Sequence, residues 1–334
     1  MALPRFEPMT VGRILDQAFR LYRESFLRYV TIAAVVQVPS GLLMVAGMGL
    51  FYSNFTSMAP GSRPPESVTA VVTMMVGLLV MMAGAFLLLV SMVLAMAAMA
   101  RSMSASYLGG DLTVAQAYRS LLPRAGWLFL LILLVVPSIF VLYIALIIVI
   151  VVIAIVAIGV AAANLGTALT ALAIGLIVLV ATLVLTVLVL AWGAVFSLSV
   201  QSVALEDLNT FAAIGRSVKL IRGNLRKALG SVLLTFLLVF IPAMAAASLG
   251  FLLDFMIFGP ANVMALQVIQ QSVSLFMQVL VMPVWAAAML LLYYDLRIRK
   301  EGFDLEMLAR SFRPGEPAPD TAAKGVAGAA PSLP

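Results

Sequence analysis

The sequence predicts an all-α polytopic membrane protein with six transmembrane helices, arranged as three repeats of an interfacial helix plus a helix pair. Of its 334 residues, 64% are hydrophobic and only 10% are charged, whereas a soluble domain has about 45–50% apolar and about 25% charged residues. Between Arg124 and Glu206, 81 consecutive residues carry no charge. A soluble core helix keeps one polar face, so only a membrane accounts for such a stretch.

Six apolar segments are bounded by charged residues or turn signals, and each exceeds the about 20 residues that cross a bilayer. The two middle segments are separated by one turn signal, residues 163–167. Two long helices joined there must tilt or protrude. Three shorter spans also fit the length, but they would place the flanking charged segments on opposite faces. The predicted spans are 29–51, 69–100, 127–162, 168–200, 228–253 and 263–294.

The positions of the basic residues favour six spans over seven. All but one of the 20 Lys and Arg residues precede the first span, lie between spans two and three or four and five, or follow span six. Arg63 is the exception. Cytoplasmic loops carry the excess of Lys and Arg. We therefore expect a multi-pass protein of the inner, cytoplasmic membrane with both termini in the cytoplasm.

The ends of the chain differ from its membrane domain, residues 29–311. Residues 1–28 contain five arginines and an amphipathic pattern, which predicts an interfacial helix rather than a cleavable signal peptide. Residues 312–334 are rich in Pro, Ala and Gly and have almost no large apolar side chain. This composition predicts a disordered tail.

Short matches between the basic segments indicate an internal repeat. Residues 17–20 read Gln-Ala-Phe-Arg and residues 116–119 read Gln-Ala-Tyr-Arg, while Arg119-Ser120 recurs as Arg216-Ser217. Each basic segment leads into a span with one proline, at Pro39, Pro137 and Pro242. We expect three copies of a unit made of an interfacial helix and two spans.

Residues 10–27 and 210–225 have opposed apolar and basic faces at helical spacing, and Thr210 is the predicted N-cap of the second helix. Such helices lie among lipid headgroups with their cations toward anionic lipid. The alternative is that they only join the spans. The net charge of +6 does not indicate nucleic acid binding, because the cations lie beside spans. The predicted headgroup contacts are Arg13, Arg20, Arg23, Arg216, Lys219 and Arg226.

Polar side chains recur on one side of the last span, within about 100° of arc on a helix. The members of this polar stripe are Gln267, Gln270, Gln271, Ser274 and Gln278. An amide that faces lipid leaves its hydrogen bonds unmade, so the stripe should face the bundle interior. We expect Gln271 and Gln278 to be more buried than Val273, Leu280 or Val284. The stripe either lines a polar pathway or bonds helices together.

No catalytic, cofactor or metal site is predicted. The chain has no Cys and no His, which removes thiol chemistry, the commonest general base and the commonest metal ligand. Glu206 and Asp207 are explained as carboxylates that stabilise the N-terminus of the following helix. The alternating charges of residues 295–306 are explained by local ion pairs on a solvated helix.

Residues 293–305, Tyr-Tyr-Asp-Leu-Arg-Ile-Arg-Lys-Glu-Gly-Phe-Asp-Leu, are the most distinctive segment. Together with residues 15–23 they resemble a family of bacterial membrane proteins named for the membrane domain of glycerophosphoryl diester phosphodiesterase. The resemblance covers nearly the whole chain. In the fused enzymes a separate soluble barrel carries catalysis, so the resemblance implies a stand-alone multispan domain without that activity, close to phospholipid metabolism.

We therefore expect a non-enzymatic accessory or lipid-interacting scaffold whose partners are membrane phospholipids, mainly anionic. The alternative is a channel or transporter for small or amphipathic solutes. Repeats and proline-containing spans favour this alternative, and the scarcity of charge within the spans argues against ion coupling.

Overall fold

The computed structural model describes residues 9–55, 68–107, 110–162, 167–258 and 263–302. These residues form nine α-helices and no β-strand. The helices are α1 (Val11–Glu24), α2 (Phe26–Phe55), α3 (Val68–Tyr107), α4 (Val114–Arg119), α5 (Ala125–Ala162), α6 (Thr167–Glu206), α7 (Thr210–Ile221), α8 (Leu225–Phe258) and α9 (Val263–Glu301). Arg63 and the predicted tail 312–334 lie outside the described residues.

One short helix followed by two long helices occurs three times along the described chain. The short helices α1, α4 and α7 have 14, 6 and 12 residues, and the long ones have 30 to 40. Each predicted span lies within one long helix, and α5 ends at Ala162, next to the predicted break. The alternation of helix lengths is observed, whereas the three-repeat architecture and its origin by duplication stay predictions.

Five helical stretches of the described chain are long and apolar enough to cross a membrane: Phe26–Ser53, Val68–Tyr107, Val114–Val135, Gly175–Glu206 and Gln267–Glu301. Helix α7 and the first half of α8 make a sixth if they count as one broken span, although they meet at an angle of 104°. The all-helical fold with several membrane-crossing helices is as expected. The number six and the cytoplasmic location of the ends stay predictions.

Side-chain caps begin all three short helices. The hydroxyl of Thr10 accepts from the backbone N–H of Arg13, and Thr113 forms a reciprocal capping box with Gln116. The N-cap predicted at Thr210 is wrong by one residue. Asn209 caps α7, because its backbone is extended and its amide oxygen accepts from the N–H of Ala212 at 2.8 Å.

Glycines let α2 and α3 pack backbone against backbone. A Cβ on Gly84 would lie 2.5 Å from the backbone nitrogen of Met44, and one on Gly47 would lie 2.3 Å from that of Met81. A Cβ on Gly77 would meet the backbone of α2 in the same way, 2.5 Å from the nitrogen of Phe51. Small residues permit this close approach in membrane helices, where dispersion contacts replace the hydrophobic effect.

Helix α9 is the central helix, with α1, α2, α3, α6, α7 and α8 packed around it. Residues 286–296 of α9 are buried on every side. The far halves of α5 and α6 instead expose large apolar side chains such as Ile155 and Leu183. The core of the described residues therefore lies at the end of the bundle where α3, α6 and α9 terminate, and the far halves of α5 and α6 have an apolar exterior.

Candidate functional site

Charged side chains meet at the end of the bundle where α3, α6 and α9 terminate and where α2, α5 and α8 begin. They form three clusters around the carboxylates of Asp295, Glu206 and Asp207. A fourth, more exposed pair joins Arg28 on α2 to Asp111 before α4, at 2.6 Å. We call this region the charged end.

Asp295 is fully buried and ties the segment before α1 to two long helices. Its Oδ1 accepts from the backbone N–H of Met9 at 2.6 Å, and its Oδ2 accepts from Arg299 Nε at 3.0 Å and from Lys227 Nζ. Lys227 and Arg299 also donate to the carbonyl oxygen of Met9. Two cations thus neutralise one buried carboxylate, as burial of a charge requires.

Glu206, the last residue of α6, joins α6 to α7 and α9. Arg216 of α7 donates from Nε at 2.8 Å and from Nη2 at 3.0 Å to its two oxygens, and the Tyr293 hydroxyl of α9 also donates to it. Arg216 also binds Glu301, with Nη2 at 2.7 Å from Oε2. Hydrogen bonds to Glu206 and Glu301 raise the pKa of Arg216, so this guanidinium stays charged.

Asp207 follows Glu206 in a backbone conformation that is rare for a residue with a side chain, with φ at 57°. Its Oδ1 lies 3.4 Å from Nη2 of Arg101 and also contacts Arg124. These residues line a cleft of about 480 Å³ together with Arg119 and Trp127.

The acidic residues therefore have partners that the sequence did not reveal. Glu206 and Asp207 bind arginines of other helices, and among the described residues it is the side chain of Asn209 that caps α7. Local i,i+4 pairs do exist, between Arg297 and Glu301 and between Arg299 and Asp295. The other partners of these carboxylates are more distant in the sequence, so the local pairs account for only part of the ion pairing.

The predicted headgroup residues fall into two groups. Five of them are exposed: Arg13, Arg20, Arg23, Lys219 and Arg226. Arg20 pairs with Glu24 of the same helix at 3.0 Å. Arg216 turns inward, and its side chain is only 20% exposed between two carboxylates. Contact of these residues with headgroups stays a prediction.

The apolar residues of α7 divide between the bundle and the exterior. Ala213, Leu220 and Ile221 are buried against the bundle, whereas Phe211 and Val218 are 66% and 48% exposed. The apolar face predicted for residues 210–225 is therefore divided, because Phe211 and Val218 lie outside and Ile221 lies inside. The buried face was missed because it contains the small residues Ala213 and Ser217, which carry little apolar signal.

Residues of the polar stripe of α9 approach two different helices, α2 and α8. Gln271 approaches Met44 of α2, with 3.7 Å between Nε2 and Sδ, and Gln270 approaches Gly250 of α8. Ser274 and Gln278 line a groove between α8 and α9. Gln267 and Ser274 are exposed, so part of the stripe lies at the surface of the described chain.

The burial of Val284 contradicts the expectation for α9. It was expected to be less buried than Gln271 and Gln278, yet it is only 6% exposed, whereas both glutamines are half-buried. The pattern assumed a helix with one lipid-facing side. Helix α9 is central at this level, and the face that bears Val284 is covered by its neighbours.

The groove between α8 and α9 has a volume of about 410 Å³ and apolar walls. Phe236, Phe240 and Trp285 form part of these walls, with Met92 of α3 at one edge. Ser274 and Gln278 are its polar residues. Apolar walls with few polar groups are typical of sites for small or amphipathic molecules.

Among the described residues, no group of three acidic side chains is placed to hold a metal ion. No protein-family model, curated protein or solved structure matches the chain. Membership of the family that residues 15–23 and 293–305 resemble therefore stays a prediction.

Proposed function

We propose that this protein is a non-enzymatic, lipid-interacting scaffold of the cytoplasmic membrane, with six spans in three repeats and its charged end in the cytoplasm. The observation that carries the proposal is the orientation of α7. This helix meets α8 at 104° and holds its inner face against the charged end. If α8 crosses the bilayer, α7 lies close to the membrane plane.

The exterior of α7 suits the headgroup region. Phe211 and Val218 are exposed apolar side chains, and Lys219 is an exposed cation on the same helix. A helix that offers both apolar surface and cations binds in the interface by burying the first and attracting anionic lipid with the second. Arg226, at the start of α8, adds a further exposed cation.

Helix α1 has a similar division. Ile14, Leu15 and Ala18 pack inward, while Phe19 is 37% exposed beside the exposed cations Arg20 and Arg23. The hydrogen bond from Met9 to Asp295 ties the segment before α1 to α9, and the pair between Arg216 and Glu301 ties α7 to α9. These links between elements distant in the chain support a scaffold rather than a moving part.

The lipid experiment uses exposed cations that leave the internal ion pairs intact. Lys219→Glu together with Arg226→Glu should reduce the anionic phospholipid that co-purifies with the protein, measured by mass spectrometry. Attraction to an anionic surface contributes about 1 kcal/mol per cation. The control is Lys219→Arg with Arg226→Lys, which keeps both charges. If both variants retain the same amount of anionic phospholipid, α7 only connects α6 to α8 and does not attract lipid.

A second candidate function, binding or passage of an amphipathic solute, is favoured by the groove with Ser274 and Gln278. Replacing Gln278 with Leu should lower the affinity of the purified protein for a fluorescent amphipath, because the groove loses a polar anchor. The control is Gln267→Leu, on the same helix but outside the groove lining. An equal effect of both variants would remove this candidate.

A further inference from the structure

A fully buried amide lies next to the groove between α8 and α9. Gln37 of α2 has no exposed surface, and its Nε2 donates to the sulfur of Met282 on α9. The Oε1 atom of the same amide has no hydrogen-bond partner among the described residues. Met282 itself lines the groove. The unpaired acceptor is therefore one side chain away from the groove.

The bonding of Gln37 does not explain its place in the interior. An unpaired buried acceptor destabilises a folded protein, because its hydrogen bond to water is lost and not replaced. Amides inside a helix bundle usually bond to another polar group across helices. The printed donor bond of Gln37 goes to a thioether sulfur instead, which is a weak acceptor. A buried polar group that contributes so little to the fold is expected where a ligand supplies the missing partner.

The groove presents a polar strip beside apolar walls. Ser274, Gln278 and Met282 follow one another at intervals of four residues, so they lie on one face of α9 at successive turns. All three line the groove. The lining that the structure describes contains no Asp, Glu, Lys or Arg. Neutral hydrogen-bonding groups beside apolar walls fit an uncharged amphipathic molecule, whereas a phosphate or carboxylate finds no counter-charge there.

The depth of the groove also favours an uncharged ligand. Met282 precedes Asp295 of the charged end by about 20 Å at about 1.5 Å per residue. If the charged end lies at the membrane surface, as proposed above, Met282 lies within the hydrocarbon, which is about 30 Å thick. A charged group is costly at this depth. A hydroxyl group that donates to an amide oxygen keeps its hydrogen bond and is accommodated.

We propose that the groove binds an uncharged lipid with a hydroxyl group, and that this hydroxyl donates to Oε1 of Gln37 once the side chain of Met282 turns aside. Methionine is unbranched and has three rotatable bonds, so its side chain repositions easily. The inference rests on the second candidate function, binding of an amphipathic solute, and specifies the chemistry of that solute. Phe236, Phe240 and Trp285 of the groove walls contact its acyl chain.

The first test compares two lipids that share an oleoyl chain. Monooleoylglycerol has hydroxyl donors, whereas methyl oleate has an ester and no donor. Each is titrated into the full-length protein in phosphatidylcholine nanodiscs, and native mass spectrometry measures the bound fraction. Gln37→Leu should weaken monooleoylglycerol binding about two- to ten-fold, as the loss of one hydrogen bond does, and leave methyl oleate binding unchanged. Equal affinity of the wild type for the two lipids would overturn the proposal.

Gln201→Leu is the matched control for this variant. Gln201 of α6 is also fully buried, but it is outside the groove lining. This control should bind monooleoylglycerol as the wild type does, and an equal loss in both variants would contradict the role of Gln37.

The free energy of unfolding separates a ligand contact from a structural one. Without ligand, Gln37→Leu should be at least as stable as the wild type, because leucine removes an unpaired buried acceptor. A marked loss of stability would show that Gln37 holds the helices together and would overturn its assignment to a ligand.

Two further ligands test the chemical class. Oleate has the same chain and a negative charge, so it should bind more weakly than monooleoylglycerol. Glycerol alone should not compete, because the apolar walls bind the chain. Tighter binding of oleate, or competition by glycerol, would overturn the proposed class. If Gln278→Leu lowers the affinity for the fluorescent amphipath but Gln37→Leu leaves monooleoylglycerol binding unchanged, the second candidate function stands and this inference alone fails.

Discussion

The backbone N–H of Met9 donates a 2.6 Å hydrogen bond to the buried carboxylate of Asp295, 286 residues further along the chain. Lys227 and Arg299 bind the same carboxylate and also the carbonyl oxygen of Met9. One fully buried residue thus joins the start of the described chain to α8 and α9. Because Asp295 is fully buried, water can reach its carboxylate only if these elements separate.

Asp295→Asn should therefore destabilise the protein strongly. The amide keeps the size of the carboxylate but leaves Lys227 and Arg299 without their counter-charge, and breaking a buried pair costs about 3–5 kcal/mol. Unfolding in detergent, followed by circular dichroism, measures the change. Glu24→Gln is the control, because its pair with Arg20 is exposed and such i,i+4 pairs contribute only about 0.3–0.5 kcal/mol.

The same variant should release the segment before α1. We expect a cysteine at position 9 to react faster with a maleimide in the Asp295→Asn background than in the otherwise wild-type chain, which has no cysteine of its own. Equal reaction rates would show that Asp295 does not hold this segment.

Tyr293→Phe tests the cluster around Glu206. The hydroxyl donates to a carboxylate, and a hydrogen bond to a charged group contributes about 1.5–3 kcal/mol. Tyr22→Phe is the matched control, since its hydroxyl donates to the neutral carbonyl of Leu280 at 2.8 Å, a bond worth about 0.5–1.5 kcal/mol. If Tyr293→Phe lowers the free energy of unfolding less than Tyr22→Phe does, the hydrogen bond to Glu206 does not stabilise the fold as argued.

The helices were predictable because apolar runs and charges mark where each begins and ends. The predicted span 69–100 lies within α3, and the break near residue 163 separates α5 from α6. A membrane helix needs only length and hydropathy to be recognised. The cap at Asn209 was placed one residue late because Asn and Thr are both good caps.

The bonding of the charged end was not predictable from spacing. Periodicity reveals neighbours three or four residues apart, such as Arg299 and Asp295. Periodicity carries no information on contacts between residues far apart in the chain, such as those of Met9 and Lys227 with Asp295. Ser104 is a further example, since its hydroxyl oxygen lies 2.6 Å from that of Tyr294. Inward-facing Arg216 was likewise placed on the lipid side, because a cation on an amphipathic helix usually faces outward.

Topology provides a prediction that uses exposed positions. Ala115 on α4 and Ala212 on α7 are exposed at the charged end, and Thr69 is exposed at the far end of α3. Thr69 and Arg101 are separated by about 48 Å at about 1.5 Å per residue, more than the about 30 Å of hydrocarbon. Single cysteines at 115 and 212 should react with an impermeant maleimide only in inside-out vesicles, and one at 69 only in right-side-out vesicles. Reaction of 115 and 212 from opposite sides would refute the six-span arrangement.

Gly84→Ala should destabilise the protein, because the new methyl group would lie 2.5 Å from the backbone nitrogen of Met44 and a backbone cannot rotate away. Separating α2 from α3 to admit the methyl group costs about 1–3 kcal/mol, as overpacking of a tight interior does. Gly193→Ala in α6 is the matched control, since among the described residues no atom outside the adjoining backbone of α6 lies within 4 Å of its added Cβ. There alanine should be neutral or stabilising by about 0.5–1 kcal/mol, because glycine is the poorer helix former. The free energy of unfolding in mixed detergent micelles measures both variants, and equal stability would show that α2 and α3 do not pack through this glycine.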